Sequence, residues 1–448
     1  MWRRSAFAGG VTPAPHKAQT RGLPIRQFPF APLLLVPLLQ HAGRPALAVV
    51  REGDEVERGA LLARADGELS VPVHAPAAGR VRRIALMPSL AGAMVEGIYL
   101  EPFAGATQEV RAGVGCKLDR ASAVEIVDAI QDAGIVGLGG AAFPTHAKLR
   151  LAPGLRVRML IVNGAECEPY LTTDYRVMIE QAADIVLGMR YLLKACAAEQ
   201  AVLAVEDGAA DAAAGVLDAM PAGVPLSVRT LPARYPQGAE KLLIKALLAA
   251  EVPAGGLPID VGALCINVAT VAEIGRLLPH GRGIVERVVT ISGPAVRDPG
   301  NYRIPLGTPL RFALEQVGMH EALSRVFLGG PMMGQPLASL DVPITKGISG
   351  FVAFTPAEQG ATAPMWPCIH CGRCVSACPV QLNPCQLGLL ARHGEVDTMR
   401  ERFHLDQCFE CGCCAYVCPA HIPLVQEFRA AKAELRRASA RSNDGGAR

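Results

Sequence analysis

Aromatic side chains make up only 5% of this 448-residue chain, and charge is equally thin, with 19% charged residues and a formal balance of +3. A near-neutral chain with no basic stripe of interleaved aromatics lacks the footprint that nucleic acid requires. Long apolar runs are missing too. A membrane span needs about 18 consecutive apolar residues, and the nearest approach, residues 31–39 (APLLLVPLL), is short and broken by Pro32 and Pro37. The N-terminal MWRRSAFAGG has basic residues but no apolar signal core, so export is not expected. A chain that is soluble or peripheral to a membrane remains.

What is present is an apolar half, 50% of residues, in a chain too long for one compact core. Packed α/β structure in two to four domains is the expectation. The fourteen cysteines are unevenly placed: Cys116, Cys167, Cys196 and Cys265 are scattered, and ten fall between Cys368 and Cys418. A disulfide scaffold would be short and secreted, so this clustering points to metal.

The C-terminal cysteines form an internal repeat. Cys368, Cys371, Cys374, Cys378 and Pro379 recur forty positions later as Cys408, Cys411, Cys414, Cys418 and Pro419, and Gly372 recurs as Gly412. Three thiolates at three-residue spacing can wrap one face of a 4Fe–4S cubane, and in two-cluster ferredoxins the fourth cysteine ligates the other cluster. One cluster is therefore assigned to Cys368, Cys371, Cys374 and Cys418, the other to Cys408, Cys411, Cys414 and Cys378. Structural zinc usually pairs two Cys-x-x-Cys knuckles and needs no third cysteine in register. Cys385 and Cys413 lie off register and read as ordinary buried thiols. His370 and His421 sit beside ligands and read as neighbours of the clusters.

Upstream, residues 28–105 carry short alternating apolar runs bounded by Gly, Pro and Asp (REGDEVERGALLA, SVPVHAPAAGRV), which read as strands and tight turns. The pattern resembles the half-barrel of lipoyl and biotinyl domains. The expected hairpin (Ala65, Asp66, Gly67, Glu68) lacks the lysine of a swinging arm, so the block is read as structural or docking. Residues 115–280 alternate helix and strand patterns, which implies a largely parallel sheet. There, Val124, Val127 and Ile130 are expected on one helix face with Gly134 at its C-cap. Strands are expected at 158–162, 201–205 and 226–231, and helices at 175–196, 209–217 and 239–250. Residues 285–350 (VERVVTISG, then LGGPMMG) resemble the soluble-ligand-binding β-grasp (SLBB) modules.

Gly137, Gly139 and Gly140 formally satisfy a dinucleotide fingerprint, but no full strand precedes them, and the Rossmann reading fails on context. The physics survives: glycines let backbone approach a phosphate or flavin ring closely. GLGGAAFPTHAKL is similar to the flavin loop of the FMN- and NADH-binding subunit of respiratory complex I. The similarity continues through Asn163, Glu166 and Glu168, through Gly238 and Glu240, and through Asn267 and Thr270. With the half-barrel, the β-grasp block and the doubled cysteine run, residues 7–430 resemble the C subunits of Rnf (Rsx) electron-transport complexes. Two positions differ from the complex I pattern: Leu138 stands where that family has Arg, and Ala142 where it has Gly.

The resemblance implies a multidomain α/β and α+β chain. Its parts are an N-terminal extension (1–27), a lipoyl-like half-barrel (28–110), an α/β flavin domain (115–283), an SLBB-like β-grasp module (284–350), an α-helical two-cluster ferredoxin-like domain (360–430) and a flexible tail (436–448). It implies non-covalent FMN held by Gly137, Gly139, Gly140, Lys148, Asn163, Glu166, Gly238, Glu240, Asn267 and Thr270. NADH would be the substrate, with Phe143 and Glu168 as its neighbours. Hydride from NADH carries two electrons and a 4Fe–4S cluster accepts one, which is why a flavin belongs between them. The family couples NADH and ferredoxin to ion movement through membrane-embedded partners, placing such a subunit peripherally on the cytoplasmic face of the inner membrane. A cobalamin reductase of similar architecture, or a relay whose glycine loop no longer binds flavin, are the other readings.

Overall fold

The computed structural model describes residues 7–358 and 364–445, with side chains as far as residue 439. The tip of the expected tail, residues 446–448, lies outside the described residues.

The half-barrel is built from a four-stranded antiparallel sheet, in which Gly79–Pro88 pairs with Met94–Pro102, and a three-stranded sheet around Leu61–Arg64. Its inward positions, including Leu34, Val36, Leu62, Val81, Ile98 and Leu100, form a separate apolar core.

The flavin-type domain follows. Met159–Gly164, Gln200–Glu206, Leu226–Leu231 and Ala263–Asn267 form one sheet, with every pairing parallel. The central runs are apolar on both faces, as a sheet covered by helices requires. All four strands end on the same edge, which collects Asn163, Glu206 and Asn267. The expected helix at 175–196 is broken at Gln181 into Thr173–Glu180 and Ala182–Cys196. A second difference concerns Val124, which is 68% exposed. The buried face of Ala123–Asp132 is Ile126, Val127 and Ile130. Val124 lies more than half a turn from Ile126, so the stripe centres away from it. Ser122 and Glu125 close a capping box at the start of this helix, and Gly134 takes a left-handed φ of 69° just beyond its cap at Ala133.

A six-stranded sheet forms the β-grasp module, and its edge strand, Arg26–Gln27, comes from the N-terminal segment. The last domain is helical and repeats in conformation as well as sequence. Helices start at Pro384 and Leu424, forty residues apart, and the left-handed residues His370, Gly372 and Gln381 recur as Glu410, Gly412 and His421. The tail expected to be flexible from residue 436 is instead helical as far as Gly445. It continues a run of strong helix formers (Ala431, Lys432, Ala433, Glu434, Leu435, Arg436, Arg437 and Ala438), which carries the helix past residue 436.

A buried lysine joins three of these modules. Lys346 Nζ donates to the carbonyls of Pro72 in the half-barrel and Gly134 in the flavin-type domain, both at 2.8 Å. Burial pushes its pKa down to about 7. His41 and His74 nearby fall to about 4 and about 3, through burial first and the Lys346 charge second. As pH falls through about 6.5, the unfolded chain takes up protons on both imidazoles that the folded chain refuses. Their contribution to stability therefore declines from about pH 6.5 toward pH 4. Lys346 acts with the same sign higher up. Between pH 7 and about 10.4 the unfolded lysine holds a proton that the folded one lacks, so stability rises with pH across that window. In anaerobic urea unfolding the midpoint of wild type relative to Lys346→Met should rise as pH goes from about 7 to about 10. A difference between the two that stays constant across that range would contradict this account.

Candidate functional site

The glycine loop packs against the C-terminal edge of the parallel sheet. Gly137 N donates to Phe143 O at 2.8 Å and Ala142 N returns to Gly137 O at 3.1 Å, which closes a tight turn with Ala142 in the left-handed region at φ 49°. Leu138 turns inward and is fully buried. Its N–H donates to Thr270 Oγ1 at 2.9 Å and its carbonyl accepts from the buried Arg287 at 2.6 Å. The position where the complex I family carries Arg thus faces the core. Gly139 lies against Asn267, where a Cβ would come within 3.2 Å of the side chain, and Gly140 has open space beside it. The result is a stretch of backbone bare of side chains, with Phe143 partly exposed next to it.

The remaining expected residues gather along this edge. Asn267 caps the helix Val268–Leu277 through its Oδ1 and donates Nδ2 to Asp174 at 2.7 Å. Asn163 faces it across the sheet and donates Nδ2 to Gly238 O at 2.9 Å. Gly238 sits so close to the Ala165 carbonyl that a Cβ would overlap it. Lys148 Nζ bonds Glu240 at 2.5 Å and Cys265 O at 2.6 Å.

Carboxylates crowd the same edge. Glu166 accepts from the N–H groups of Asp174 and Tyr175 at 3.0 and 3.3 Å and so caps the helix Thr173–Glu180. Burial raises its pKa. Burial, with Glu166 beside it, lifts Asp174 to about 7, and burial likewise lifts Glu206 to about 7. Lys17 opposes all three, reaching in from the N-terminal segment to bond the Glu166 carbonyl. Glu168 points elsewhere: it accepts from Met332 N at 3.1 Å and Met333 N at 2.8 Å, tying down the loop after Leu328. Sequence reasoning missed Lys17, Asp174, Glu206 and Arg287. Glu206 was findable as the acidic residue that follows an expected strand, 201–205, at the ligand-facing edge. Lys17 bonds a residue 149 positions away and left no local signal.

In the helical domain the eight expected cysteines line two cavities. Cys368, Cys371, Cys374 and Cys418 line one, together with Cys385. Cys378, Cys408, Cys411 and Cys414 line the other. Each cavity thus takes three cysteines from one run and the fourth from the other. Amides point at two of the sulfurs: Leu382 N lies 3.3 Å from Cys378 Sγ and His370 N lies 3.4 Å from Cys368 Sγ.

The two cavities differ in surroundings. Tyr235, three residues before Gly238, donates its hydroxyl to the carbonyl of Cys411 at 2.6 Å. Val11 pairs with Tyr235 through two 2.9 Å backbone bonds, while Gly10 N reaches Ala377 O at 2.9 Å. An apolar cluster of Val11, Tyr235, Ala377, Cys411 and Cys413, with Cys167 and Met332 against it, fills this junction. The cavity of Cys378, Cys408, Cys411 and Cys414 is therefore the inner one. The other is outermost: Cys371 is exposed, as are Trp366 at 58% and Ile369 at 67%.

Comparison with known proteins agrees with this layout. The RnfC barrel sandwich hybrid domain matches residues 5–103, the Nuo51 FMN-binding domain 130–276, the SLBB domain 288–336 and the 4Fe-4S dicluster domain 367–422. The C subunit of the proton-translocating ferredoxin:NAD(+) oxidoreductase complex of Clostridium ljungdahlii is 38% identical over 97% of this chain and 95% of its own. The C subunit of the ion-translocating oxidoreductase complex of Pasteurella multocida is 40% identical over 96% of this chain, which spans 51% of that longer relative. A chain of an NAD+-reducing [NiFe]-hydrogenase in the H2-reduced state shares the fold, with a TM-score of 0.50 and 20% identity over 74% of this chain and 68% of that one.

The cofactors are FMN and 4Fe–4S clusters. The residues present fit them. A backbone cradle without side chains, closed on one side by Asn267 and next to the Lys148 ammonium, suits a flat ring bearing a phosphate. Thiol-lined cavities with amides aimed at sulfur suit cubanes.

Proposed function

Because the chain belongs to the family of C subunits of ion-translocating oxidoreductase complexes, we propose that it carries electrons between NAD(H) and ferredoxin or the complex's other carriers. The observation that bears most weight is the hydrogen bond from Tyr235 to the Cys411 carbonyl. It fixes the inner cluster cavity to the segment that leads into Gly238 at the flavin edge. Bound FMN supplies the link between a two-electron hydride donor and one-electron clusters.

The protein's part is positioning. Gly137, Gly139 and Gly140 keep the cradle open, and Thr270 pins the loop through the Leu138 amide. Lys148, oriented by Glu240, offers its ammonium to the phosphate. Asn163, Asn267 and Gly238 shape the floor, and Glu166 anchors the turn above it by capping the next helix. Phe143 borders the open side where nicotinamide would enter. Glu168 contributes by holding the Met332–Met333 loop, which in turn lies against Gly412.

The eight cysteines would hold the clusters in the exchanged pattern that the cavities outline, the inner cavity being the one tied to the flavin edge. Exposed Ile369 lines the outer one and exposed Trp366 donates its backbone N–H to the carbonyl of the lining residue Ala420, which leaves a face where a partner carrier can approach. Among the described residues no helix is long and apolar enough to cross a membrane. Membrane-embedded partners would thus perform the ion translocation and hold this subunit peripherally on the cytoplasmic face of the inner membrane.

Anaerobic purification with iron, sulfide and flavin quantitation tests the reading. About eight irons and one FMN per chain, with both chromophores bleached by NADH, are expected. Full iron with no flavin and no bleaching would reduce the chain to a relay. Gly238→Ala probes the flavin edge directly. Its methyl group meets the Ala165 carbonyl, and overpacking of about 1–3 kcal/mol falling on the bound state corresponds to roughly tenfold or more in FMN affinity. Flavin retained on desalting reads this out, and wild-type retention would remove Gly238 from the site.

A further inference from the structure

The two cluster cavities are not equivalent in their thiols. The inner one is lined by four cysteines, and its off-register neighbour, Cys413, is buried on the other side, in the apolar junction with Val11 and Tyr235. The outer one is lined by five. The fifth, Cys385, was expected to be an ordinary buried thiol. Instead it is half-buried in the first turn of the helix Pro384–Arg392, on the cavity wall. Its Sγ lies 3.7 Å from Cys368 Sγ and 3.8 Å from His370 Nδ1, and the three side chains could converge on one metal atom.

A cubane presents four iron corners that diverge tetrahedrally, each completed by one thiolate. Two sulfurs in contact cannot complete different corners, so Cys385 and Cys368 compete for the same iron. Pro384 and the Asn383 side chain, which accepts from Gln386 N at 3.1 Å, fix the start of the helix and hold the competing sulfur in place. We propose that Cys385 is an alternative ligand to the outer cluster, able to replace Cys368 at its iron corner. In the exchange the Fe–S bond to Cys368 breaks and one to Cys385 forms. Cys385 releases its thiol proton to solvent, Cys368 takes one up, and no electron changes hands. The most exposed cluster would thereby keep four thiolates when one is lost.

This rests on the assignment of Cys368, Cys371, Cys374 and Cys418 to one cluster, which Cys371→Ala tests by itself. Iron and sulfide content, with the electron paramagnetic resonance spectrum after dithionite reduction, should be measured on anaerobically purified variants. Cys368→Ala and Cys385→Ala should each keep full iron, the former with a shifted outer-cluster signal. Cys371→Ala and the double variant Cys368→Ala/Cys385→Ala should each keep half. Iron retained at the inner cavity shows in every case that the domain has folded. A second readout is alkylation: iodoacetamide should label Cys385 in the wild-type holoprotein and not in Cys368→Ala holoprotein. Loss of half the iron in Cys368→Ala, or unchanged labelling of Cys385 there, overturns the proposal. Full iron in Cys371→Ala overturns the ligand assignment instead.

Discussion

Cys408→Ala should leave NADH able to bleach the flavin while the remaining cluster stays oxidised. Cys408 lines the inner cavity, and this side of the helical domain is where the rest of the chain docks: Tyr235 of the flavin-type domain on the Cys411 carbonyl, Gly10 of the N-terminal segment on Ala377, and Met332 of the β-grasp module against Gly412. The outer cavity shows no such contact to the flavin edge among the described residues. A flavin held at that edge would therefore face the inner cavity first, and removal of the cluster held there would leave the outer one at a longer distance. The variant should contain half the iron and full flavin. In stopped-flow mixing with NADH, flavin absorbance should fall at the wild-type rate while the cluster band does not follow. Cys371→Ala provides the converse: it should lose the outer cluster, keep NADH reduction of the inner one, and fail only in passing electrons to an external acceptor. Reduction of the remaining cluster in Cys408→Ala at the wild-type rate would reverse the order of the two clusters or bring the outer one into direct contact with the flavin.

How much of this could be read in advance depended on how far apart the interacting residues lie. The cysteine runs are local and repeat at a fixed spacing, so the sequence was enough to pair the lining of each cavity, including the exchanged fourth cysteine. The strands at 159–164 and 200–206 announced themselves as apolar runs and the one at 226–231 by alternation, although that last strand is half-buried to exposed rather than buried, and the parallel sheet followed from the order of strands and helices. Helix detail was weaker. The break at Gln181 carries no proline or glycine, and Val124 fits a three-residue spacing while lying off the buried stripe. Long-range matches were invisible. Lys17 lies far upstream of the flavin-type domain yet ends among its carboxylates, and Arg26–Gln27 pairs with a strand that begins at Gly300. The direction of a side chain was equally hidden. Glu168 was legible as an acidic residue after a strand, but not as the anchor of two amides in the Met332–Met333 loop.

The same distance argument applies to what holds the modules together, and it carries the largest expected change in stability. Glu286, on a β-grasp strand, faces three guanidiniums from three modules. Arg58 of the half-barrel lies at 2.6 Å, Arg303 of the neighbouring strand at 3.4 Å and Arg276 of the flavin-type domain at 3.5 Å. Arg58 also donates to the carbonyls of Pro76 and Gln108, and only 9% of its side chain and of Glu286's reaches solvent. Burial alone would raise the Glu286 pKa, but the three cations hold it below the usual carboxylate range. Glu286→Ala strands Arg58 without its anion in a dry junction, and breaking a buried pair in this way costs about 3–5 kcal/mol. Arg311–Asp341 is a pair of similar length, 2.7 Å, but 47% and 60% exposed, so Asp341→Ala should cost at most about 1 kcal/mol. Thermal unfolding under nitrogen, compared at one cofactor occupancy, separates the two: a drop of many degrees for Glu286→Ala and almost none for Asp341→Ala. The effect also has a sign in pH. A carboxylate whose folded pKa is depressed contributes stability above the unfolded value of about 4.3 and loses it as pH falls through the folded one. The gap between wild type and Glu286→Ala should therefore be full at pH 7 and narrow as pH falls below about 4.3, and a gap that stays constant from pH 7 down to pH 3 would mean that the loss comes from packing rather than charge.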